Sequence, residues 1–136
     1  MTKRLGAATD DPKALIARAI REYDAARGDP VGIREAANKG WLAICSLADV
    51  AAARFGMQEP GGASGRRVAI KELEKRAKIR RGTVQADFEM SRAILHGECF
   101  HADTCPVNTK DLLEGLSATI DDGMKALDKA TKRRRR

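Results

Sequence analysis

The stretch REAANKGWLAICSLADVAAARFG, residues 34 to 56, decides the fold, because its apolar residues recur at every third or fourth position. At about 1.5 Å per residue, this pattern and the residue before it predict a helix about 35 Å long with one apolar stripe. The stripe consists of Ile33, Ala37, Trp41, Ile44, Ala48, Ala52 and Phe55. A stripe of this kind is typical of a helix that packs into a core, and Trp41 is its largest anchor.

The residues flanking this stretch indicate where two helices begin and end. Asp11-Pro12 and Asp29-Pro30 each offer a carboxylate that can cap a helix, followed by a proline that fits the first helical position. Gly28 and Gly56 stand where a left-handed residue would end each helix. These signals predict a first helix after Asp11 and a second, long one after Asp29.

Three more helices are predicted in the rest of the chain, and no stretch has the pattern of a strand. The third runs from about residue 64 to Arg81, the fourth begins at Thr83, and the last begins at Asn108 or Thr109. Their inward faces are Ile70, Leu73 and Ala77; Val84, Phe88, Ser91 and Leu95; and Leu113, Leu116, Ile120, Met124 and Leu127. Five amphipathic helices with short connections predict an all-α antiparallel helical bundle.

Length and composition favour one cytoplasmic domain. A chain of 136 residues with 43% hydrophobic residues can form one modest core, which we place at residues 11–131, between a disordered segment 1–10 and a basic disordered tail 132–136. No apolar run reaches the roughly 18 residues of a transmembrane helix, and no secretory signal is recognisable. Three cysteines without an export signal favour reduced thiols, with a Cys99–Cys105 disulfide as the alternative.

Positive charge is concentrated in two places rather than spread over the chain. The formal net charge is +7, and residues 66–81 hold eight Lys or Arg against Glu72 and Glu74. The candidate nucleic-acid-binding residues are Arg66, Arg67, Lys71, Lys75, Lys78, Arg80, Arg81, Arg133, Arg134, Arg135 and Arg136. They could neutralise phosphates of RNA or DNA without reading sequence, or contact an anionic membrane surface. The alternative is a solvated helix face followed by a solvated tail.

The segment SRAILHGECFH, residues 91–101, contains both histidines of the chain. On an α-helix Glu89, Arg92, His96 and Cys99 would share one face, so Arg92 and His96 are the candidate catalytic pair for RNA cleavage. The alternative is a solvated face on which His96 interacts with the end of the helix. His96, Cys99, His101 and Cys105 could bind zinc, but their interleaved spacing does not match the usual paired ligands. We therefore predict no metal or other cofactor.

Two elements of the chain resemble the archaeal PaREP family, a branch of the HEPN superfamily of helical bundles. They are the Ala-Ala-x-Lys-Gly-Trp turn at residues 36–41, and Leu95-His96-Gly97 with Phe100 shortly after. The resemblance runs from about Asp11 to Ala130 and implies a HEPN-like bundle that assembles as a homodimer through its helices. HEPN ribonucleases resemble one another in having an Arg-x4-6-His motif. In this chain three residues separate Arg92 from His96, and eight separate Arg92 from His101, so neither spacing matches that motif.

The leading functional hypothesis is a non-enzymatic HEPN-like module that dimerises and binds RNA, a nucleotide or a protein partner. A metal-independent ribonuclease that uses Arg92 and His96 is the first alternative. A small zinc-binding protein is the second. A two-fold dimer is expected because the apolar stripes of the second and last helices are long for one small bundle.

Overall fold

The structure, a computed structural model, describes residues 11–135 and contains helices and their connections, with no strand among these residues. The helices are α1 (Pro12–Ala26), α2 (Pro30–Arg54), α3 (Ala63–Arg76), α4 (Thr83–Met90) and α5 (Thr109–Arg135). Helix α4 continues directly into a π-helix over Ser91–His101, here called the π segment. The prediction of an all-α helical bundle is confirmed.

Both predicted Asp-Pro starts form helix caps. Asp11 accepts a hydrogen bond from the backbone N–H of Lys13 at 3.0 Å, and Asp29 accepts one from Gly32 at 3.1 Å. Each carboxylate satisfies a backbone donor that has no partner within its helix. The first two helices therefore begin where the sequence placed them.

Helix α2 lies at the centre of the core, and its predicted stripe is buried apart from the half-buried Ile33. Trp41 is 8% exposed and contacts Phe88, with ring centroids 5.2 Å apart. The predicted stripe of α5 is also buried within this single chain: Leu113, Leu116, Ile120, Met124 and Leu127. One bundle therefore covers both stripes, so the length of the stripes gives no reason to expect a dimer.

Helices α2 and α5 each carry a glycine at the point where the other helix comes closest. A Cβ at Gly40 would lie 2.5 Å from Leu113, and a Cβ at Gly123 would lie 3.2 Å from Leu47. Position 40 of α2 therefore faces position 113 of α5, and position 47 faces position 123, so these two helices run in the same direction. The predicted antiparallel arrangement holds for α1 and α2, which a short turn connects.

Helix α3 ends at Arg76, five residues before the predicted end at Arg81. Lys78 adopts a left-handed conformation with φ 59°, and the backbone N–H of Ile79 donates to the carbonyl of Glu74 at 2.9 Å. This pattern of hydrogen bonds terminates a helix and normally has glycine at the left-handed position. Because lysine occupies that position here, no stop signal is visible in the sequence. Lys78, Arg80 and Arg81 consequently lie on a turn rather than on a helix face.

The π segment changes the predicted face of the fourth helix. Hydrogen bonds in a π-helix join residues five apart, so side chains that an α-helix would align are rotated away from one another. Cys99 is fully buried in the core, while Arg92 is exposed and Glu89 pairs with Arg67 of α3. The prediction that Glu89, Arg92, His96 and Cys99 share one face is therefore wrong.

A disulfide joins Cys99 to Cys105, which corrects the prediction of reduced thiols at these positions. The chain reverses after the π segment, where Asp103 takes a left-handed φ of 57° and the N–H of Thr104 donates to the carbonyl of Glu98. This reversal brings the two Cα atoms within 4.0 Å of each other. Cys45 on α2 is the remaining cysteine, and it is buried and unbonded.

The two ends of the chain differ in how far the structure describes them. Residues 1–10, predicted to be disordered, lie outside the described residues. Helix α5 continues to Arg135, whereas the sequence placed the start of a disordered tail at Lys132. Among the described helices, none has a stretch that is both long and apolar enough to span a bilayer.

Candidate functional site

His96 lies half-buried on the π segment between two aromatic rings. Its imidazole stacks on Trp41 of α2 with centroids 5.2 Å apart and an interplanar angle of 25°, and on Phe100 at 6.1 Å and 13°. His101 follows five residues later, which is the spacing of neighbours along a π-helix, and its ring meets His96 edge-on at 4.4 Å. The π-helical geometry thus places the two histidines together.

Hydrogen bonds connect these two rings to helix α2. Nδ1 of His96 lies 3.1 Å from Oδ1 of Asn38, and Nε2 of His96 lies 3.2 Å from Nε2 of His101. An amide oxygen only accepts hydrogen bonds. This contact therefore requires the tautomer of His96 that carries its proton on Nδ1, and the Nδ1–H group donates a hydrogen bond to Asn38. Nε2 of His96 then accepts from the Nε2–H of His101. We call these residues, Asn38, His96 and His101, the imidazole site.

The surroundings of His96 favour its neutral form. Burial is the main cause that lowers the pKa of His96 below its ordinary value, and positive charge on His101 and Arg92 lowers it further. A neutral imidazole near neutral pH can accept a proton from a reacting group. The neutral form of His96 is thus favoured, with its two ring nitrogens engaged by Asn38 and His101.

Arg92, the predicted partner of His96 in catalysis, is exposed on the π segment. Within residues 11–135 its guanidinium forms no hydrogen bond or ion pair, but its charge acts on His96. A different arginine, Arg34 of α2, organises the site: it donates to the carbonyl of Phe100 at 2.9 and 3.1 Å and lies 3.6 Å from Asp103.

Sequence reasoning missed both Arg34 and Asn38. Asn38 comes three residues before Trp41, so an α-helix places the two side chains on neighbouring parts of one face. That spacing was the signal that could have linked Asn38 to the residue on which His96 stacks. No local signal marks Arg34, because its partners lie 66 and 69 residues further along the chain.

The four residues that could have bound zinc in the alternative interpretation do not assemble into a metal site. Cys99 and Cys105 are bonded to each other, which leaves only His96 and His101 of the four proposed ligands. Within the described part of the chain, no three His, Cys, Asp or Glu side chains are grouped as a metal ion would require. The alternative of a four-ligand zinc site is therefore wrong, and these residues form a disulfide beside a pair of histidines.

The basic residues of 66–81 separate into two groups. Arg66 forms two hydrogen bonds with Asp49 at 3.0 and 3.1 Å, and Arg67 forms a two-point ion pair with Glu89, so both link α3 to its neighbours. Arg76 pairs with Glu72 on the same helix. The remaining five cations form no ion pair with any described residue, and we call them the basic cluster: Lys71, Lys75, Lys78, Arg80 and Arg81.

Four of the candidate nucleic-acid-binding residues lie at the end of the chain. Arg133, Arg134 and Arg135 belong to the last turn of α5, but their side chains lie outside the described residues, as does Arg136 entirely. Their proposed contact with phosphates stays a prediction.

Comparisons with protein-family models, with curated proteins and with solved structures each find no match. The resemblance to the PaREP family and the HEPN superfamily therefore stays a prediction that rests on residues 36–41 and 95–100. The features of this structure that bear on function are the imidazole site and the basic cluster.

Proposed function

We propose that this protein is a non-enzymatic, HEPN-like helical module that dimerises and binds RNA through the basic cluster. The observation that carries the proposal is that only some of the cations on α3 and on the turn after it are paired with carboxylates. Arg66, Arg67 and Arg76 have carboxylate partners, whereas the five cations of the basic cluster have none among the described residues. Unpaired cations concentrated at one end of a bundle attract a phosphate backbone.

The acidic residues near the basic cluster are largely engaged elsewhere. Glu72 pairs with Arg76 at 2.8 Å, and the carboxylate of Glu74 accepts three backbone N–H groups. Asp122 lines the same shallow cleft as Arg80 without forming an ion pair with it. The positive charge of the cluster is therefore little offset at close range, and sequence-independent binding is expected.

The test is a salt titration of binding to labelled single-stranded RNA, followed by fluorescence anisotropy. Reversing Lys71, Lys75 and Lys78 to Glu should weaken binding and flatten the dependence of log K on log salt, by about 0.7 for each lost phosphate contact. The matched control reverses three exposed lysines elsewhere, Lys13, Lys125 and Lys129, and changes the net charge equally. Equal losses in both variants would contradict a defined binding surface.

Dimerisation is the second part of the proposal. Val31 and Leu42 are 60% and 45% exposed, and their separation of 11 residues places them on one outer face of α2. The resemblance to the HEPN superfamily also implies a dimer packed through helices. These two exposed apolar side chains support a helix-to-helix contact between copies.

A second candidate function, cleavage of RNA, has its support in the imidazole site. His96 is held in one tautomer by Asn38 and favoured in its neutral form, and the positive charge of Arg92 acts on it. A fixed neutral imidazole near a guanidinium could move a proton while the guanidinium holds a phosphate.

The two candidates differ in what His96→Ala does. Under the non-enzymatic proposal the purified protein does not cut single-stranded RNA without metal, and His96→Ala leaves binding nearly unchanged. Metal-independent cleavage that disappears in His96→Ala, while circular dichroism shows an intact bundle, would replace the leading proposal with the ribonuclease.

A further inference from the structure

The Cys99–Cys105 disulfide closes a loop that carries part of the surroundings of His96. Phe100 and His101 lie between the two cysteines, and the rings of both contact His96. Cys99 is fully buried in the core, whereas Cys105 is half-buried on the connection that leads to α5. The covalent bond therefore ties the backbone on both sides of His101 to a fixed point of the core.

The middle of this loop, residues 101–104, is exposed and is held by local hydrogen bonds. The backbone N–H of Ala102 donates to the carbonyl of Gly97 at 3.0 Å, and the N–H of Thr104 donates to the carbonyl of Glu98 at 2.8 Å. Exposed backbone hydrogen bonds of this kind break in small openings that leave the rest of a fold intact. The disulfide is thus a strong restraint on a segment that is otherwise weakly held.

Arg34 of α2 also contacts the loop, mainly at its first residue. It donates two hydrogen bonds to the carbonyl of Phe100, at 2.9 and 3.1 Å. Its contact with Asp103, at 3.6 Å, joins side chains that are 33% and 66% exposed, and ion pairs with this exposure contribute little to stability. Arg34 therefore fixes Phe100 and holds the residues after it only weakly.

The contact between the two histidines depends on the geometry at the end of the π segment. Their Nε2 atoms are 3.2 Å apart because residues five apart lie on one face of a π-helix. In an α-helix the same spacing would place them about 140° apart around the axis. While the contact lasts, His101 occupies the ring nitrogen of His96 that is not engaged by Asn38.

We propose that the Cys99–Cys105 bond is a redox switch for the imidazole site, operated by a dithiol reductant. The intact bond keeps His101 on Nε2 of His96. Reduction lets the loop open, and this nitrogen of His96 is then released to accept a proton or a hydrogen bond from a bound ligand. The switch goes beyond the proposed function, because binding of RNA through the basic cluster does not depend on it.

Reduction transfers two electrons and two protons from the dithiol to the disulfide. A thiolate of the dithiol attacks Sγ of Cys105, the less buried cysteine, and the S–S bond breaks to release Cys99 as a thiolate. The second thiolate of the dithiol then attacks the first sulfur of the dithiol, which forms the oxidised, cyclic dithiol and releases Cys105. Both cysteines take up the protons that the dithiol has lost.

NMR titration of the His96 ring tests the switch, because the chain has only two histidines. Protein that is reduced with dithiothreitol and then titrated without oxygen should show a raised pKa of His96, since positive charge on His101 no longer lowers it. Cross-peaks between the two rings should disappear. Cys105→Ser should give the same result without a reductant. Cys45→Ala is the matched control, because it keeps the disulfide and should respond to dithiothreitol as the wild type does.

Reduction of the His101→Ala variant separates the switch from a general loosening of the segment. In this variant the contact that the disulfide controls is already absent, so dithiothreitol should leave the pKa of His96 unchanged. An equal rise of this pKa in His101→Ala and in the wild type would overturn the proposal.

Two other results would also overturn it. The first is an unchanged pKa of His96 in wild-type protein that mass spectrometry shows to have gained two thiols. The second is loss of the helical circular dichroism signal on reduction, because the bond would then hold the whole fold rather than the loop. RNA binding should be equal in both redox states, so failure of the switch leaves the proposed function standing.

Discussion

His101 lies close enough to His96 to affect the protonation of His96. Their Nε2 atoms are 3.2 Å apart, and in the neutral pair one of these atoms donates to the other. A positive charge on His101 disfavours a second charge on His96, and burial acts in the same direction. Protonation of His96 is therefore unfavourable beside a charged His101.

Replacing His101 should raise the pKa of His96 toward its ordinary value of 6.5. His101→Ala removes a positive neighbour and exposes the ring to water, and both changes favour the charged form. Arg92→Ala should raise the pKa by less, because its charge is the smaller cause. NMR titration of the His96 ring measures both shifts, and an unchanged pKa in His101→Ala would contradict the coupling.

The same lowered pKa makes the folded state sensitive to acid. Below pH 6.5 the unfolded chain protonates His96 more readily than the folded protein does, so the free energy of unfolding falls as the pH drops through this range. The loss continues until the folded pKa is passed. Chemical denaturation should show a weaker pH dependence in His96→Gln than in the wild type.

Cys45 should be unreactive in the folded protein. Its thiol is 4% exposed, and burial raises its pKa to about 12, so almost no thiolate forms near neutral pH. Iodoacetamide should therefore add no group to the native protein, and unfolding without a reductant should expose one site. One alkyl group on the native protein would contradict the burial of Cys45, and two or more would contradict the Cys99–Cys105 bond.

The sequence predicted where the first two helices begin, but it did not predict that residues 91–101 form a π-helix. The starts after Asp11 and Asp29 depend on local chemistry, a carboxylate followed by proline, which is visible in the sequence. The π segment depends on tertiary contacts, including the packing of His96 on Trp41 and the bonds from Arg34 to Phe100. Such contacts join distant residues, so Arg92 and His96 could be found as candidates while the partners of His96 could not.

Two glycines in helices should respond in opposite ways to alanine. At Gly40 a new methyl group would lie 2.5 Å from the buried Leu113, and overpacking of this kind costs about 1–3 kcal/mol. At Gly115, exposed on α5, a Cβ meets no atom within 4 Å, so alanine should stabilise the helix by up to about 1 kcal/mol. Thermal unfolding measures both. Stabilisation by Gly40→Ala would contradict the close approach of α2 and α5.

On the scale of the whole molecule, the sequence patterns located the core correctly. They overestimated how much apolar surface stays exposed once the bundle has folded. The stripes of α2 and α5 were judged too long for one bundle, yet both are covered because α2 is surrounded by other helices of the same chain. Sequence periodicity shows which face is buried and not what buries it. The basic cluster was likewise found by composition, but only the structure separates its unpaired cations from Arg66 and Arg67.

The assembly can be tested at the outer face of α2. We expect light scattering at tens of micromolar to give twice the mass of one chain, and Leu42→Glu to give a monomer, since Leu42 is 45% exposed on this face. Val107→Glu is the control, because Val107 is fully exposed on the connection before α5. A wild-type protein that is strictly monomeric would remove the dimer from the proposed function.

The paired glycines of α2 and α5 also constrain how the sequence can evolve. Gly40 receives Leu113, and Gly123 receives Leu47, so each helix provides the space that a leucine of the other helix fills. A larger residue at position 40 is compatible with the fold only if position 113 becomes smaller. In related sequences, positions 40 and 113 should therefore vary together, and positions 47 and 123 should do the same.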